Sequence, residues 1–292
     1  MRLVSFRKNN EIGLAVEVAG ELRGRLASVA EHSVDIGVVL SLGGEALQSV
    51  GRSLLNAPAI DPADICFLPP LTTPPKIICV GLNYADHTKE SPYEQPDYPT
   101  LFPRFSSSLI GHGQAIVRPS MSDSLDFEGE LVAVIGKGGR HISRARALEH
   151  VAGYSIFNDA SVREYQFKSP QWTVGKNFDA TGAFGPYFVT ADEVPRGGKG
   201  LRLETRLNGN VVQSASTDDM LFDLVELISV VSEAITLLPG DVIVTGTPAG
   251  IGWARTPRLL MRSGDICEVE IEGLGILRNP IVDETASAPV PS

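Results

Sequence analysis

Residues 126–135 read Asp126-Phe-Glu128-Gly-Glu130-Leu-Val-Ala-Val-Ile135 and place two glutamates at the start of an apolar run. The run predicts a buried β-strand. Side chains two residues apart on a strand point to the same face, with Cα atoms roughly 7 Å apart, so Glu128 and Glu130 can converge on one point. Two carboxylates that close at the end of a buried strand require a cation or a proton between them. The stretch therefore indicates a divalent metal site.

A second acidic stretch shows the alternative to a metal site. Cys267-Glu268-Val269-Glu270-Ile271-Glu272 alternates apolar residues with acids, which is typical of an antiparallel strand with one face in water. The stretch around Glu128 and Glu130 differs because its apolar run is unbroken. On pattern alone, a metal-ligand pair and a solvated start of a strand stay equal alternatives for these two glutamates.

Composition limits the class of protein. The 292 residues, 43% hydrophobic and 21% charged, fit one large soluble domain or two unequal ones. The net charge of −10 disfavours nucleic acid and anionic membranes as partners, because phosphate binding requires a basic surface. Cys66, Cys79 and Cys267 form no CxxC pair and are interpreted as reduced core residues. No run predicts a signal peptide or a membrane span, so we expect a cytoplasmic protein.

A proline-rich segment predicts a boundary within the chain. Leu68-Pro-Pro-Leu-Thr-Thr-Pro-Pro75 can continue neither a helix nor a strand. We expect a small N-terminal domain over 1–70, with a strand meander over 1–30 and a weak helix over 34–55. A catalytic domain would then span 74–283, followed by a flexible tail over 284–292.

Beyond this boundary, strands are predicted to outnumber helices, so the predicted fold class is mixed α/β and predominantly β. The segment 91–103 contains four prolines and predicts either an ordinary surface loop or a lid over a site. Asn208-Gly209 predicts a hairpin turn. Apolar patterns predict one strong helix over 220–238 and strands over 131–135, 153–157, 184–190, 201–207, 211–215 and 242–246.

Further polar residues follow the predicted strands. Asp159 lies at the end of an apolar run, whereas Glu128 and Glu130 lie at the start of one. Three carboxylate ligands of this kind favour Mg²⁺ or Mn²⁺ over zinc, and Ca²⁺ is an alternative. His87 and Glu90 stand three residues apart, so on a helical turn the carboxylate can orient the imidazole for acid–base chemistry. An isolated histidine of this kind is otherwise structural.

Two cations and a glycine-rich turn lie near these acids in sequence. Arg163 and Lys176 follow Asp159, and they either bind an anionic substrate or form surface ion pairs. Gly246-Thr247-Pro248-Ala-Gly250 permits a tight turn that presents backbone N–H groups and a hydroxyl to an anionic ligand.

Five motifs, in order, resemble those of the fumarylacetoacetate hydrolase superfamily over about residues 74–283. They are Gly81-Leu-Asn-Tyr-Ala-Asp-His87-Thr-Lys-Glu90, Asp126-Phe-Glu128-Gly-Glu130-Leu-Val-Ala-Val-Ile-Gly-Lys137, Phe157-Asn-Asp159-Ala-Ser-Val-Arg163, Gly175-Lys176-Asn-Phe-Asp179 and Thr245-Gly-Thr247-Pro-Ala-Gly250. The resemblance implies a β-roll or barrel-like catalytic domain, bound Mg²⁺ or Mn²⁺ and a homodimer.

The resemblance also implies a role for each matching residue. Asp126 is given only a supporting position beside the ligands. Many family members carry a lysine where this chain has Arg104, so the positive charge is kept. The implied roles are metal ligands for Glu128, Glu130 and Asp159, catalysis for His87, Glu90 and Lys176, and substrate binding for Arg104 and Thr247. Arg163, from its place after Asp159, is a further candidate for substrate binding.

These assignments predict a metal-dependent hydrolase. It would cleave a C–C bond in an acylpyruvate-type 2,4-dioxo acid, such as fumarylpyruvate or maleylpyruvate from aromatic catabolism, through a metal-stabilised enolate and a His87-activated water. The same scaffold would serve an oxaloacetate-type decarboxylase, a keto–enol isomerase or a 2-keto-sugar-acid dehydratase. A non-catalytic metal- or ligand-binding protein is the alternative of another class, and it would need neither the histidine–glutamate pair nor Lys176.

Overall fold

The computed structural model describes residues 1–90 and 94–285. Strands outnumber helices over these residues, which confirms the mixed, predominantly β fold class. The strands are β1 Arg2–Lys8, β2 Glu11–Val18, β3 Glu21–Leu26, β4 Ala59–Ile60, β5 Cys66–Phe67, β6 Ile77–Gly81, β7 Thr100–Arg104, β8 Leu109–Ile110, β9 Ile116–Arg118, β10 Leu125–Asp126, β11 Gly129–Ile135, β12 Val151–Asp159, β13 Ser161–Val162, β14 Gly182–Thr190, β15 Arg202–Leu207, β16 Asn210–Ser216, β17 Val242–Val244, β18 Ile266–Ile271 and β19 Gly275–Asp283.

Helices are few and mostly short. Among the described residues, no helix has the length and apolarity to cross a membrane. The α-helices are α1 Ile36–Ser41, α2 Gly44–Leu55, α3 Ala85–Glu90, α4 Arg163–Gln166, α5 Thr173–Lys176 and α6 Leu224–Ala234. Short 3-10 helices cover Ala27–Val29, Pro62–Asp64, Ser106–Ser108, Arg144–His150, Ala191–Glu193, Arg196–Gly198 and Thr217–Asp219.

A large sheet organises the molecule, and the predicted apolar strand lies in its middle. The sheet has twelve strands in the order β4-β3-β2-β1-β14-β12-β11-β17-β6-β7, with β5 beside β1 and β8 beside β14. Strand β11 runs antiparallel to both of its neighbours, β12 and β17. Leu131 packs into one hydrophobic cluster and Val132 into another, so both faces of the strand are covered. Burial on both faces explains an unbroken apolar run where a half-exposed strand would alternate.

A second sheet covers part of this layer, with five strands in the order β16-β15-β18-β19-β9. Strands β15 and β16 form the predicted hairpin, in which Leu207 pairs with Asn210. The turn residues Asn208 and Gly209 have φ values of 53° and 79°. Both residue types tolerate this left-handed conformation, which a two-residue hairpin turn requires.

The first 70 residues contain the predicted meander, formed by β1, β2 and β3. Strand β1 also pairs with β14, with Arg2 opposite Val189, so the meander is hydrogen-bonded into the large sheet. The helix predicted over 34–55 is instead two helices, because Gly43 between α1 and α2 has a φ of 98°. The division of the chain into domains at residue 70 stays a prediction.

Two other predicted elements differ from the structure. The helix expected over 220–238 covers only Leu224–Ala234, because Asp223 caps its first turn and Ile235 adopts an extended conformation after its last residue. The segment expected to be irregular contains β7, which pairs with β6 at the edge of the large sheet. An edge position tolerates Pro103, which has no N–H to donate. The proposed lid includes residues 91–93, and the proposed tail includes 286–292; both ranges lie outside the described residues.

Candidate active site

Three carboxylates predicted to bind a metal lie together in the interior. Oxygen atoms of Glu128, Glu130 and Asp159 all lie within 4.8 Å of one another, and all three residues are buried. Glu130 lies on β11, Asp159 ends the neighbouring β12, and Glu128 immediately precedes β11. The N–H of Asp159 donates to the carbonyl oxygen of Glu128 at 2.8 Å, so strand pairing itself brings the third acid to the first two.

Buried cations contact two of these carboxylates. Lys176 Nζ lies 2.7 Å from Glu128 Oε2 and 2.6 Å from Asp159 Oδ2. Arg163 Nη1 lies 2.6 Å from Glu128 Oε1. Because Arg163 and Lys176 are both 2% exposed or less, the alternative of surface ion pairs is excluded for these residues.

Glu130 has a different environment. Among the described residues, ion pairs join buried cations to Asp126, Glu128 and Asp159 but none joins a cation to Glu130, which accepts from the N–H of Gly246 at 2.5 Å. Burial raises the pKa of Glu130 well above its ordinary value, and the charges of Asp159 and Glu128 raise it further. Burial also acts to raise the pKa of Glu128, but Lys176, Arg163 and His87 lower it to about 2.

The balance of buried charge suits a cation. Four carboxylates, those of Asp126, Glu128, Glu130 and Asp159, face three cationic side chains, which are Arg104, Arg163 and Lys176. Carboxylate oxygens are ligands that Mg²⁺ and Mn²⁺ prefer. The residues present therefore fit a divalent metal ion, which would compensate the charge on Glu130.

The predicted histidine–glutamate contact forms on helix α3. His87 Nδ1 lies 3.0 Å from Glu90 Oε1. The carboxylate of Glu90 also accepts from the backbone N–H of Gly250 at 3.0 Å and of Ile251 at 3.4 Å. His87 is buried and lines the same cleft as Glu128 and Glu130, so the pair lies close to the acid cluster.

Thr247 lies in the wall of the cleft that opens over the acid cluster, whereas Arg104 lies outside this cleft. Thr247 lines the cleft, but its hydroxyl donates to Gly129 O at 3.0 Å and accepts from Gln213 Nε2 at 2.9 Å. The side chain of Arg104 is completely buried, and its Nη1 lies 2.7 Å from Asp159 Oδ1. Its Nη2 donates to Thr181 Oγ1 at 2.8 Å. Arg104 therefore supports Asp159, and its side chain lies outside the cleft where a predicted substrate contact would have to be made.

A small cleft, with a volume of about 40 Å³, opens over the acid cluster and the histidine. Gln166 lines it, and sequence reasoning missed this residue, whose side-chain oxygen accepts from Arg163 Nη1 at 2.9 Å. The spacing of three residues from Arg163 on α4 is a signal that could have found it. Aromatic side chains form much of the remaining wall; they are Phe102, Phe167, Trp172 and Trp253.

Comparisons with known proteins agree with this site. The family described as fumarylacetoacetate (FAA) hydrolase C-terminal matches residues 76–282. The human protein named oxaloacetate tautomerase FAHD2A, mitochondrial, is 43% identical over 243 residues, which are 82% of this chain and 77% of that protein.

Two solved structures cover nearly the whole fold. Fumarylacetoacetate hydrolase from psychrophilic Exiguobacterium antarcticum is 36% identical with a TM-score of 0.85, covering 97% of this chain and 100% of that one. Maleylpyruvate hydrolase from Sphingobium sp. SYK-6, in complex with manganese(II) ion and pyruvate, is 25% identical with a TM-score of 0.81, covering 98% of this chain and 100% of that one. From the extent of the family match and the identity to its relatives, this chain belongs to the fumarylacetoacetate hydrolase family.

Proposed function

We propose that the protein is a metal-dependent keto–enol tautomerase of a short 2-oxo dicarboxylate of the oxaloacetate type. The observation that carries the proposal is the buried carboxylate cluster, which shares one cleft with Lys176 and with the hydrogen-bonded His87–Glu90 pair. The relative that is 43% identical and named an oxaloacetate tautomerase favours this reaction over the C–C cleavage that the motifs predict.

The metal would be held by Glu128, Glu130 and Asp159, and Mg²⁺ or Mn²⁺ suits this ligand set. When bound, such an ion polarises a 2-oxo group and makes the neighbouring C–H more acidic. Arg104 and Arg163 would keep the carboxylates of Asp159 and Glu128 in place through their ion pairs.

The proton transfer is assigned to His87. Burial lowers the pKa of Lys176, but Asp159 and Glu128 raise it, and the net result is a pKa above the ordinary value. Lys176 therefore stays an ammonium and provides positive charge beside the substrate. Because Nδ1 of His87 contacts Glu90, its Nε2 is left to take a proton from C3 of the keto form and to give it to the 2-oxygen, which yields the enol; the opposite transfer yields the keto form.

Substrate binding is assigned to polar groups in the cleft wall. Arg163 supplies a positive charge at the cleft that would attract a substrate carboxylate, and Gln166 and Thr247 also line the cleft. A small cleft of this kind favours a short dicarboxylate over a larger substrate.

Replacement of His87 tests the proposal. With oxaloacetate and Mn²⁺, the decay of enol absorbance should be slower in His87→Asn by about 10²- to 10⁴-fold, which is the usual contribution of a general acid–base group. His141→Asn is the matched control, because His141 is exposed and outside the cleft. Full activity in His87→Asn would contradict the assignment of the proton transfer.

Hydrolysis of an acylpyruvate is the second candidate function. The specific observation in its favour is the His87–Glu90 contact, because the same imidazole could take a proton from water as readily as from carbon. Product analysis separates the reactions: tautomerisation leaves the mass of the substrate unchanged, hydrolysis yields pyruvate and a second acid, and decarboxylation releases CO₂. Cleavage of an acylpyruvate with a higher kcat/KM than that for oxaloacetate would replace the first candidate with the second.

Assembly and location stay predictions. The family resemblance implies a homodimer, which light scattering of the purified protein would test. The cytoplasmic location expected from sequence stands beside a relative whose name includes "mitochondrial". Fractionation of the source cells would decide between the two locations.

A further inference from the structure

The segment 246–253, which we call the amide loop, donates backbone N–H groups to acids in different parts of the site. Gly246 N–H contacts Glu130, and the N–H groups of Gly250 and Ile251 contact Glu90. The next two residues contact a different acid: the N–H of Gly252 lies 2.8 Å from Asp126 Oδ1 and that of Trp253 lies 3.0 Å from Asp126 Oδ2. The same loop therefore contacts the histidine–glutamate pair and the acid cluster.

Asp126 connects the amide loop to the acid cluster. Its carboxylate is completely buried and accepts from Arg163 Nε at 2.9 Å, while Arg163 Nη1 contacts Glu128. Asp126 is not among the residues that line the cleft, so its contacts are with the protein rather than with a substrate. Charge-assisted hydrogen bonds of this kind are stronger and better defined in geometry than neutral ones.

Close packing leaves the amide loop little freedom. A Cβ atom added to Gly252 would lie 1.7 Å from Leu259 O and 2.7 Å from Asp126 Oδ1. Gly250 has a φ of +104°, and a Cβ atom there would lie 2.3 Å from Val212 O. Because the loop is closely packed at both glycines, which are two residues apart, we expect a displacement at the Asp126 end to move the two N–H groups that hold Glu90.

The histidine–glutamate pair lies on helix α3, of which the structure describes six residues, Ala85–Glu90. Helices this short are not stable in isolation, so the pair needs support from the surrounding structure. We propose that Asp126 is a positioning residue for the His87–Glu90 pair and acts on it through the amide loop. The proposal rests on the proposed function only for its effect on catalysis; the geometry of the pair can be measured without any assay.

Asp126→Asn tests the proposal, because it keeps the shape of the side chain and replaces one acceptor oxygen with a donor. We expect kcat to fall about tenfold or more, as a misplaced catalytic group does, while KM changes less than about threefold. The ¹⁵N resonance of His87 Nδ1, assigned with His87→Asn, should move toward its position in Glu90→Gln. An unmoved resonance would overturn the proposal.

Asp241→Asn is the matched control. Asp241 has a completely buried side chain that pairs with Lys76 at 2.8 Å and accepts from Leu238 N–H at 2.7 Å, and it does not line the cleft. The variant therefore carries the same change of charge at another buried aspartate. A shift of the His87 resonance that is equal in Asp241→Asn would show a general effect of destabilisation and would overturn the proposal.

A double variant separates the two routes by which Asp126 could act. If Asp126 acts through Glu90, Glu90→Gln combined with Asp126→Asn should have a kcat within about twofold of Glu90→Gln alone. If Asp126 acts mainly through Arg163 and the metal ligands, the losses of kcat in the two single variants will multiply in the double variant. The second result would overturn the proposal.

Hydrogen exchange keeps the proposal testable if Asp126→Asn does not fold. In Glu90→Gln, the amides of Gly252 and Trp253 should exchange about tenfold faster, together with those of Gly250 and Ile251, because a cooperative segment opens as a unit. Faster exchange confined to Gly250 and Ile251 would show that the loop does not transmit the change. This measurement needs no substrate, so its failure is distinct from failure of the proposed function.

Discussion

Glu128 and Glu130 have the same spacing as Glu268 and Glu270, yet the two pairs occupy opposite environments. Glu128 and Glu130 are 4% and 2% exposed and lie among other buried charges. The side chains of Glu268 and Glu270 on β18 are 23% and 29% exposed, and both contact Arg206 at the surface. Residue type and spacing are therefore shared, and burial separates a candidate metal site from a solvated strand face.

The reason lies in the position of each strand. Strand β11 is central in the large sheet, so water cannot screen the acids at its start, and each requires a cation, an N–H group or a proton. Strand β18 alternates buried and partly exposed residues, so its acids face water on one side. Water compensates most of their charge, and ion pairs at such positions contribute little to stability.

The largest difference between the pairs should be in metal binding. Glu130→Gln should lower the affinity for Mn²⁺ by about a hundredfold or more, because it removes one of three charged oxygen ligands from a buried site. Glu270→Gln, with the same change of chemistry on β18, should leave the affinity unchanged. Titration calorimetry with MnCl₂ measures both, and equal affinities in the two variants would remove the distinction between the strands.

A smaller effect should distinguish Glu128 from Glu130 in metal-free protein. The folded pKa of Glu128 is lowered to about 2, so its stabilisation is present above the ordinary value of 4.5 and is lost as the pH falls toward 2. The folded pKa of Glu130 is raised, so Glu130 destabilises the fold increasingly as the pH rises above 4.5. Near neutral pH, Glu128→Gln should destabilise the protein and Glu130→Gln should stabilise it, each on the order of 1 kcal/mol per unit of pKa shift.

Urea unfolding in the presence of a chelator measures this pair of effects. The advantage of Glu130→Gln over the unsubstituted protein should grow between about pH 5 and about pH 8, because ionisation of Glu130 is what the substitution removes. Changes of the same sign in both variants would contradict the opposite environments of the two glutamates.

The smallest effect belongs to the exposed pair. Glu270→Gln removes the contact of 2.7 Å with Arg206 Nη1, and we expect a loss of stability below about 1 kcal/mol that decreases as salt is added. Thermal unfolding at low and high ionic strength would measure it. A loss as large as that in Glu128→Gln would mean that the β18 acids are not effectively screened.

Much of the fold could be predicted because its signals are local. The unbroken apolar run identified β11, and Asn208-Gly209 identified the hairpin, since each depends on a few consecutive residues. Strand β7 was missed because it depends on a partner distant along the chain. Thr100 pairs with Gly81, and a proline-rich segment carries no local signal of such pairing.

The candidate site also has some features that the sequence predicted and others that it did not. The grouping of Glu128, Glu130 and Asp159 was expected from strand ends and family motifs, and the structure brings them together. The position of Arg104 behind Asp159 and the contact of Gln166 with Arg163 were not expected, because they depend on where side chains point in three dimensions. The turn at 246–250 was expected to bind an anionic ligand, but the carboxyl groups that its N–H groups contact are side chains of the protein itself.

The sequence alone determined which strands are apolar enough to be buried and which residues can carry charge, because periodicity and residue type are properties of the chain. Tertiary structure decided which charges lose contact with water and which N–H groups and cations replace it. The physical reason is that the energy of a carboxylate depends on its surroundings within a few ångströms, and in this protein those surroundings come from segments distant in sequence. The spacing of two residues that Glu128–Glu130 and Glu268–Glu270 share therefore acquires its meaning only from the fold.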